Sequence, residues 1–101
     1  MAGEDFSQLL ERKFVDIVAM RMEEDGYKKG QFAVKVWPEL STNAAATKWA
    51  QIRSKTYHTG KPQSVTIADA SRMAAALGDD LGYLLSVAKR EVDKDMKKGI
   101  R

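Results

Sequence analysis

Apolar residues recur at steps of three and four along most of the chain, which is the spacing of amphipathic helices. The first stripe predicts a helix over 6–25, followed by Gly26 where a left-handed C-terminal cap belongs. Its inward positions are Phe6, Leu9, Leu10, Phe14, Ile17 and Val18. A second apolar edge predicts neighbours on more than one side of this helix, and it consists of Val15, Ala19 and Met22.

Two shorter helices follow on either side of a proline. Residues 29–36 predict a second helix whose inward positions are Phe32, Ala33 and Val36. Pro38 ends it, because proline disfavours helical geometry in the preceding residue and has no N–H group to donate. Three good N-cap residues then predict a third helix over 44–55, and they are Ser41, Thr42 and Asn43. Its inward positions are Ala46, Trp49 and either Ile52 or Arg53.

Two more helices complete the pattern. Thr66 and Asp69 resemble a capping box, and Gly78 ends the helix that they open. The inward positions of this fourth helix are Ile67, Ala70, Met73, Ala74 and Leu77. Asp80 caps a fifth helix, whose apolar positions are Leu81, Leu84, Leu85, Ala88 and Val92.

The sequence therefore predicts an all-α fold. No stretch alternates with a period of two for long enough to be a strand, so five helices form one domain over 1–92. From Asp93 onward the periodicity is lost, and we expect a frayed basic tail over 93–101.

The composition excludes several classes of chemistry. A chain of 101 residues, 44% apolar and 31% charged, suits one globular domain. Cysteine is absent and His58 is the single histidine, which excludes thiolate catalysis and argues against a histidine metal site. No apolar run is long enough to span a bilayer, and the acidic N-terminus lacks the apolar segment of a secretory signal. We expect a cytoplasmic protein that is not an enzyme and uses no membrane, metal, cofactor or small-molecule ligand.

The net charge of +3 is unevenly distributed along the chain. Residues 27–63 carry seven bases and one acid, a net charge of +6, whereas residues 1–26 carry a net charge of −4. A basic segment within an otherwise acidic domain is typical of proteins that bind a polyanion. A solvated basic face without a partner is the alternative interpretation.

The basic segment contains a short helix, a turn and a capped helix, which is the order of a helix-turn-helix motif. The second helix of such a motif enters a major groove about 12 Å wide, so its first turn must be slim and polar. Residues 42–45 meet that requirement, since they read Thr-Asn-Ala-Ala. Ala46 and Trp49 are spaced to anchor the helix from behind, although a base-stacking role is the alternative for Trp49. For Trp37 the alternatives are a core residue and a surface wedge.

Several short segments carry a family resemblance. They are Phe32-Ala33, Ala46-Thr47-Lys48-Trp49, Gly60-Lys61-Pro62, Thr66-Ile67, Ala74-Ala75-Ala76-Leu77-Gly78 and Leu81-Gly82-Tyr83-Leu84-Leu85. Over residues 29–85 the chain thereby resembles the lambda-repressor-like (Cro-type, Xre-like) helix-turn-helix domains of phage and bacterial regulators. The turn differs from the family pattern, because Ala33 and Ala46 are about three residues further apart, with the extra residues at 37–40.

The resemblance implies a set of DNA contacts. The groove-facing residues are Thr42, Asn43, Ala44, Thr47, Lys48 and Gln51. Asn43 and Gln51 have the amide groups that read adenine, and Lys48 has a charge that reaches guanine or a phosphate. The phosphate-contacting residues are Gln31, Arg53, Lys55, Tyr57 and Lys61.

We therefore expect a sequence-specific, DNA-binding transcriptional regulator of the phage or prophage repressor type. Its expected partner is double-stranded DNA, with a nucleoid-associated location. A homodimer joined partly through the fifth helix is expected as well, because the apolar residues of that helix spread too widely for one core-facing stripe. The alternative to this dimer is that the second apolar edge of the first helix covers them within one chain. The alternative is an antitoxin or protein-interaction adaptor on the same helical scaffold.

Overall fold

The computed structural model describes residues 6–54 and 63–99. It contains five α-helices, α1 (Phe6–Glu24), α2 (Lys29–Val36), α3 (Thr42–Arg53), α4 (Ile67–Leu77) and α5 (Leu81–Gly99). No residue of these two ranges lies in a β-strand. The predicted all-α class is confirmed, and the five predicted helices are all present.

Local capping residues define most helix ends. The Ser41 hydroxyl accepts a hydrogen bond from the Ala44 N–H at 3.1 Å, and the Thr66 hydroxyl accepts one from the Asp69 N–H at 3.0 Å. Asp80 caps α5 by accepting from the Tyr83 N–H at 2.8 Å. Because these side chains satisfy N–H groups that lack a partner within their own helix, they fix where each helix begins.

Two glycines end helices in the left-handed conformation. Gly26 follows α1 with φ 84°, and Gly78 follows α4 with φ 71°. After α1, the Tyr27 N–H donates to the Met22 carbonyl at 3.0 Å, which is the long hydrogen bond of a Schellman motif. After α4, the Asp79 N–H donates to the Ala74 carbonyl at 2.9 Å in the same way. A side chain with a Cβ would be strained at either glycine.

Helix α1 lies at the centre of the packing and contacts α3, α4 and α5. The expectation of neighbours on more than one side is confirmed, because both of its apolar edges are buried. The buried residues of α1 are Phe14, Val15, Ile17, Val18, Ala19 and Met22. Phe6 was expected to face inward, but it lies on the first turn of the helix and is 38% exposed.

Helices α2 and α3 pack against each other through aromatic rings. The rings of Phe32 and Trp49 meet edge to face, with 5.2 Å between their centroids. The residues that α3 buries are Ala45, Trp49 and Ile52. The expected inward position Ala46 is only half-buried, and Arg53 is exposed. Periodicity alone could not choose between neighbouring alanines, and the contact between α2 and α3 sets the rotation of the helix.

The last two helices differ from expectation at three places. Ile67, expected to face inward, is 83% exposed, because it is the first residue of α4 and precedes the turn that packs against the core. On α5, Leu84, Ala88 and Val92 are buried, whereas Leu85 is 37% exposed. Helix α5 also continues to Gly99, where the sequence predicted a frayed tail from Asp93.

Two ion pairs involve residues in the extra length of α5. Asp95 pairs with Lys13 of α1 at 3.1 Å, and Lys89 pairs with Asp93 one turn further along the same helix at 3.1 Å. Pairs at this spacing support a helix that has no apolar stripe. A further ion pair links the C-terminal part of α1 to the residues just before α5, because Arg21 pairs with Asp79 at 2.6 Å.

Candidate nucleic-acid interface

Helix α3 has one face in the core and one face in solvent. The solvent face carries small or polar side chains, and its exposed members are Thr42, Asn43, Ala44, Thr47 and Ala50. Gln51 lies at the edge of this face and is half-buried. Five of the six residues expected to face a groove therefore lie on the exposed side of one helix or at its edge. The first turn of that helix is the slim, polar one that the sequence predicted.

Lys48, the sixth residue of that set, is half-buried like Gln51, but its ammonium group contacts other parts of the protein. Its ammonium group lies 3.7 Å from the Oδ2 atom of Asp69 on α4. The same ammonium group lies 5.3 Å from the centroid of the Trp37 ring. Lys48 therefore contacts an acid and an aromatic ring within the protein, which distinguishes it from the other five residues.

Two of the five residues expected to contact phosphates can be placed. Gln31 is exposed on α2, and its Oε1 atom accepts a hydrogen bond from the Lys28 N–H at 3.0 Å, so its amide NH₂ group remains a possible donor. Arg53 is exposed at the end of α3, with its guanidinium group 5.8 Å from the Trp49 ring centroid. The other three residues lie outside the described residues, as does His58, and they are Lys55, Tyr57 and Lys61.

The turn between α2 and α3 is held by two side chains of α4. The Oδ1 atom of Asp69 accepts a hydrogen bond from the Trp37 indole N–H at 3.0 Å. The Nη1 atom of Arg72 donates to both carboxylate oxygens of Glu39, at 2.8 and 3.0 Å, and to the Val36 carbonyl at 3.3 Å. We call these residues the turn cluster, and its members are Trp37, Glu39, Lys48, Asp69 and Arg72.

The buried polar groups of the turn cluster are paired with each other, and the charges of its side chains cancel. Trp37 is 2% exposed and Asp69 is 8% exposed, so the indole N–H and the carboxylate satisfy each other away from water. The hydrogen bond from Arg72 lowers the pKa of the Glu39 carboxyl below its usual value. Two acids face two bases, and the cluster as a whole therefore adds no net charge to the basic segment.

A second set of contacts fixes the C-terminal end of α3. The Nη1 atom of Arg12 on α1 donates to the Ile52 carbonyl at 2.6 Å, and its Nη2 atom donates to the Gln63 carbonyl at 3.4 Å. The neighbouring Glu11 carboxylate accepts from the Val65 N–H at 3.0 Å. The Gln63 N–H in turn donates to the Gln51 carbonyl at 2.9 Å. Residues 51–52 at the end of α3 and residues 63–65 are therefore held beside each other.

The sequence analysis missed both sets of contacts. Asp69 was interpreted only as part of a capping box, and no role was assigned to Arg72 or Arg12. The partners described above lie 21 to 51 positions away along the chain, so no local pattern connects them. The one signal available for Arg12 was its place next to the apolar stripe of α1, where a long charged side chain crosses the edge of the core.

The described residues form neither a membrane-spanning helix nor a metal-binding cluster. None of the five helices has an apolar stretch of the length needed to cross a bilayer, over the part of the chain that the structure describes. Over the same part, no three acidic or histidine side chains converge as a metal site would need. Comparisons with protein-family models, with curated proteins and with solved structures give no match to this chain.

Proposed function

We propose that this chain is a sequence-specific, DNA-binding transcriptional regulator of the phage or prophage repressor type. In this proposal α2 and α3 form a helix-turn-helix motif within a lambda-repressor-like arrangement of five helices. The observation that carries it is the two-sided character of α3. One side is anchored by buried Trp49 and Ile52, and the other presents small and polar side chains to solvent.

The exposed side of α3 has suitable chemistry for reading base edges. Asn43 lies in the first turn and is exposed, and Gln51 lies two turns further along at the edge of the same face. The amide group of either residue can pair with the N6 and N7 atoms of adenine. Thr47, exposed between them, can donate to a base edge or contact a thymine methyl group.

The charge distribution supports a polyanionic partner. The net charge of +6 over residues 27–63 surrounds this helix in the sequence, with Arg53 at its end and Lys55 and Lys61 in the segment that follows. Cations at the borders of a reading helix hold phosphates and fix the orientation of the helix on the duplex. Gln31 and Tyr57 are the proposed uncharged contacts to the backbone.

A salt titration of binding to duplex DNA tests the proposal. If each protomer of a dimer neutralises about three to five phosphates, the logarithm of the affinity falls with the logarithm of the salt concentration at a slope of about −5 to −9. The variants Lys55→Gln and Lys61→Gln are expected to make this slope shallower and to weaken binding to all sequences alike. A slope near zero for the unaltered protein would overturn the proposal.

We further propose that the regulator is a homodimer that uses the outer side of α5. Tyr83 and Met20 are each 53% exposed, and they line one groove between α1 and α5 together with Val87 and Ile17. A symmetric contact would bury these apolar groups. One reading helix covers only a few base pairs, and pairing over two half-sites is the usual way to reach genomic specificity.

The same groove favours one second candidate function. Exposed apolar side chains flanked by charge, such as Met20 beside Asp16, are typical of protein-interaction surfaces as well. An antitoxin or adaptor on this scaffold would use the groove to bind a different protein. A toxin-like neighbouring gene whose product forms a stable complex with this chain favours that alternative, and the loss of the complex on Met20→Asp would assign the groove to it.

A further inference from the structure

The turn between α2 and α3 is long, and α4 holds it at two points. Residues 37–40 form this turn, and the Leu40 N–H donates back to the Trp37 carbonyl at 3.1 Å. Asp69 binds the beginning of the turn through the Trp37 indole, and Arg72 binds its middle through Glu39. A longer turn would leave the angle between α2 and α3 loosely determined if nothing held it. Here α4 supplies the restraint.

Lys48 extends this restraint to α3 itself. Asp69 uses one carboxylate oxygen for Trp37 and has the other 3.7 Å from the Lys48 ammonium group. That ammonium group also lies 5.3 Å from the centroid of the Trp37 ring, within the range of a cation–π contact. Three segments therefore meet at one buried carboxylate: the turn, α3 and α4.

Asp69 lies in the first turn of α4. It is the third residue of α4, behind the Thr66 cap, and the partial positive charge of a helix N-terminus stabilises a carboxylate there. The carboxylate is buried and already accepts one hydrogen bond, so a cation beside it compensates the charge that remains. The Lys48 ammonium group supplies this positive charge within the protein, in the absence of nucleic acid.

We propose that Lys48 is a positioning residue that acts through Asp69 and Trp37, and that it does not read a base or neutralise a phosphate. This inference rests on the proposed DNA-binding function and revises one residue of the contact set that was expected from the sequence. The ion pair supports the rotation of α3 that packing against α2 sets, and this rotation determines the direction in which Asn43, Thr47 and Gln51 face the groove. Asp69 thereby determines specificity without touching DNA.

A pair of Lys48 variants separates positioning from direct contact. Lys48→Met keeps the aliphatic stem and removes the charge, so it is expected to weaken binding to the preferred site by about tenfold. Because the charge does not contact DNA in this proposal, the salt slope stays that of the unaltered protein. Lys48→Arg, which restores a cation beside Asp69, is expected to recover most of the affinity and of the sequence preference.

The Asp69 partner and a matched control complete the test. Asp69→Asn keeps an oxygen for the Trp37 indole and removes the ion pair, so it is expected to resemble Lys48→Met. The double variant is then no weaker than either single variant, since both remove the same interaction. Arg53→Gln is the control for a phosphate contact, and it makes the salt slope shallower by about one for each protomer bound.

Three results would overturn the inference. They are a shallower salt slope for Lys48→Met, an equal loss of affinity on all sequences, or additive losses in the double variant. If the unaltered protein binds no duplex DNA, the proposed function fails and this inference falls with it. If it binds DNA but shows one of those three results, only the inference fails. Circular dichroism checks that each variant is folded, and the Lys48→Met and Lys48→Arg pair suffices if Asp69→Asn does not fold.

Discussion

The two tryptophans are both buried, but their indole N–H groups have different surroundings. Trp37 is 2% exposed and donates to Asp69, whereas Trp49 is 1% exposed. Among the described residues, the Trp49 N–H is a buried donor without a hydrogen-bond partner. The sequence predicted a core position for Trp49 from its helical spacing, and that prediction is confirmed. For Trp37 the sequence left a core position and a surface wedge as alternatives, because the indole's hydrogen-bond partner is an acid 32 positions away.

This difference predicts unequal effects of the same substitution. Trp37→Phe removes the donor to a buried carboxylate, and leaving such a group unsatisfied costs about 1–3 kcal/mol. Trp49→Phe removes a similar volume without breaking a hydrogen bond. We therefore expect Trp37→Phe to lower the free energy of unfolding by about 1–2 kcal/mol more than Trp49→Phe in urea titrations. Equal losses would contradict the role assigned to the Trp37–Asp69 hydrogen bond.

At the scale of the elements, local signals were enough to predict most helix ends. Ser41, Thr66 and Asp80 act on N–H groups three residues ahead, and Gly78 needs only its own conformational freedom. Capping signals of this kind are contained in a few consecutive residues. Most helix starts and stops were therefore predicted closely. The exceptions are α3, which runs over Thr42–Arg53 where 44–55 was predicted, and α5, which continues past Val92.

Properties set by tertiary contact were predicted less well. The predicted rotation of α3 was wrong by one residue, since Ala45 is buried where Ala46 was expected to be. The consecutive alanines 44–46 are alike in sequence and differ only in what packs against them. The extension of α5 depends in part on the Lys13–Asp95 ion pair, which joins two helices. For the candidate site, the residues expected on the exposed face of α3 came from the family resemblance. The turn cluster was not predicted, because its acids and bases come from distant segments.

The link from α1 to the end of α3 predicts a measurable loss when it is removed. Arg12→Met keeps most of the side-chain stem and removes the donors to the Ile52 and Gln63 carbonyls. Hydrogen bonds from a charged group contribute about 1.5–3 kcal/mol, so we expect a loss of this order in the free energy of unfolding. Amide hydrogen exchange near the end of α3 should accelerate as well.

Lys13→Met is the matched control for that prediction. Lys13 is the next residue along α1, and it forms a partly exposed ion pair with Asp95. Such surface pairs contribute about 0–1 kcal/mol. If the two variants lose the same stability, or if exchange at the end of α3 is unchanged in Arg12→Met, then Arg12 does not hold that helix end.

At the scale of the whole molecule, ion pairs between distant elements predict a dependence of stability on pH. The hydrogen bond from Arg21 lowers the pKa of the Asp79 carboxyl, and a backbone hydrogen bond from Asp80 lowers it further. Arg72 lowers the pKa of Glu39 in the same way. A carboxyl whose pKa is lower in the folded protein stabilises the fold above its usual pKa and loses this contribution as the pH falls below about 4.

Asp79→Asn tests this pH dependence. The variant lacks a carboxyl with a lowered pKa, so its stability is expected to decline less steeply than that of the unaltered protein between about pH 4 and pH 2. Above about pH 5 it should be the less stable of the two, because it has lost the ion pair with Arg21. Unfolding midpoints in urea across this range give the comparison. Parallel declines would contradict the assignment.

The proposed homodimer predicts a change of mass with specific substitutions. Tyr83→Asp and Val87→Asp place a charge in the groove between α1 and α5, so we expect folded monomers that bind a full DNA site weakly. Val92 is 3% exposed and is unsuitable for this purpose, because a charge there would disrupt the core. Ser86→Asp, on an exposed position of the same helix, is the control.

Light scattering over a concentration series gives the oligomeric state in each case. The account expects a dimer for the unaltered protein and for Ser86→Asp. A protein that is monomeric at tens of micromolar, and stays so when bound to DNA, would contradict the dimer.

Selection of bound sites from a pool of random duplex DNA tests the central claim most directly. The account predicts enrichment of a two-fold symmetric sequence, with half-sites about one helical turn apart and adenines at positions that lose their preference in Asn43→Ala or Gln51→Ala. Recovery of sequences no different from the starting pool, at a salt concentration low enough for polyanion binding, would contradict the claim that α3 reads DNA.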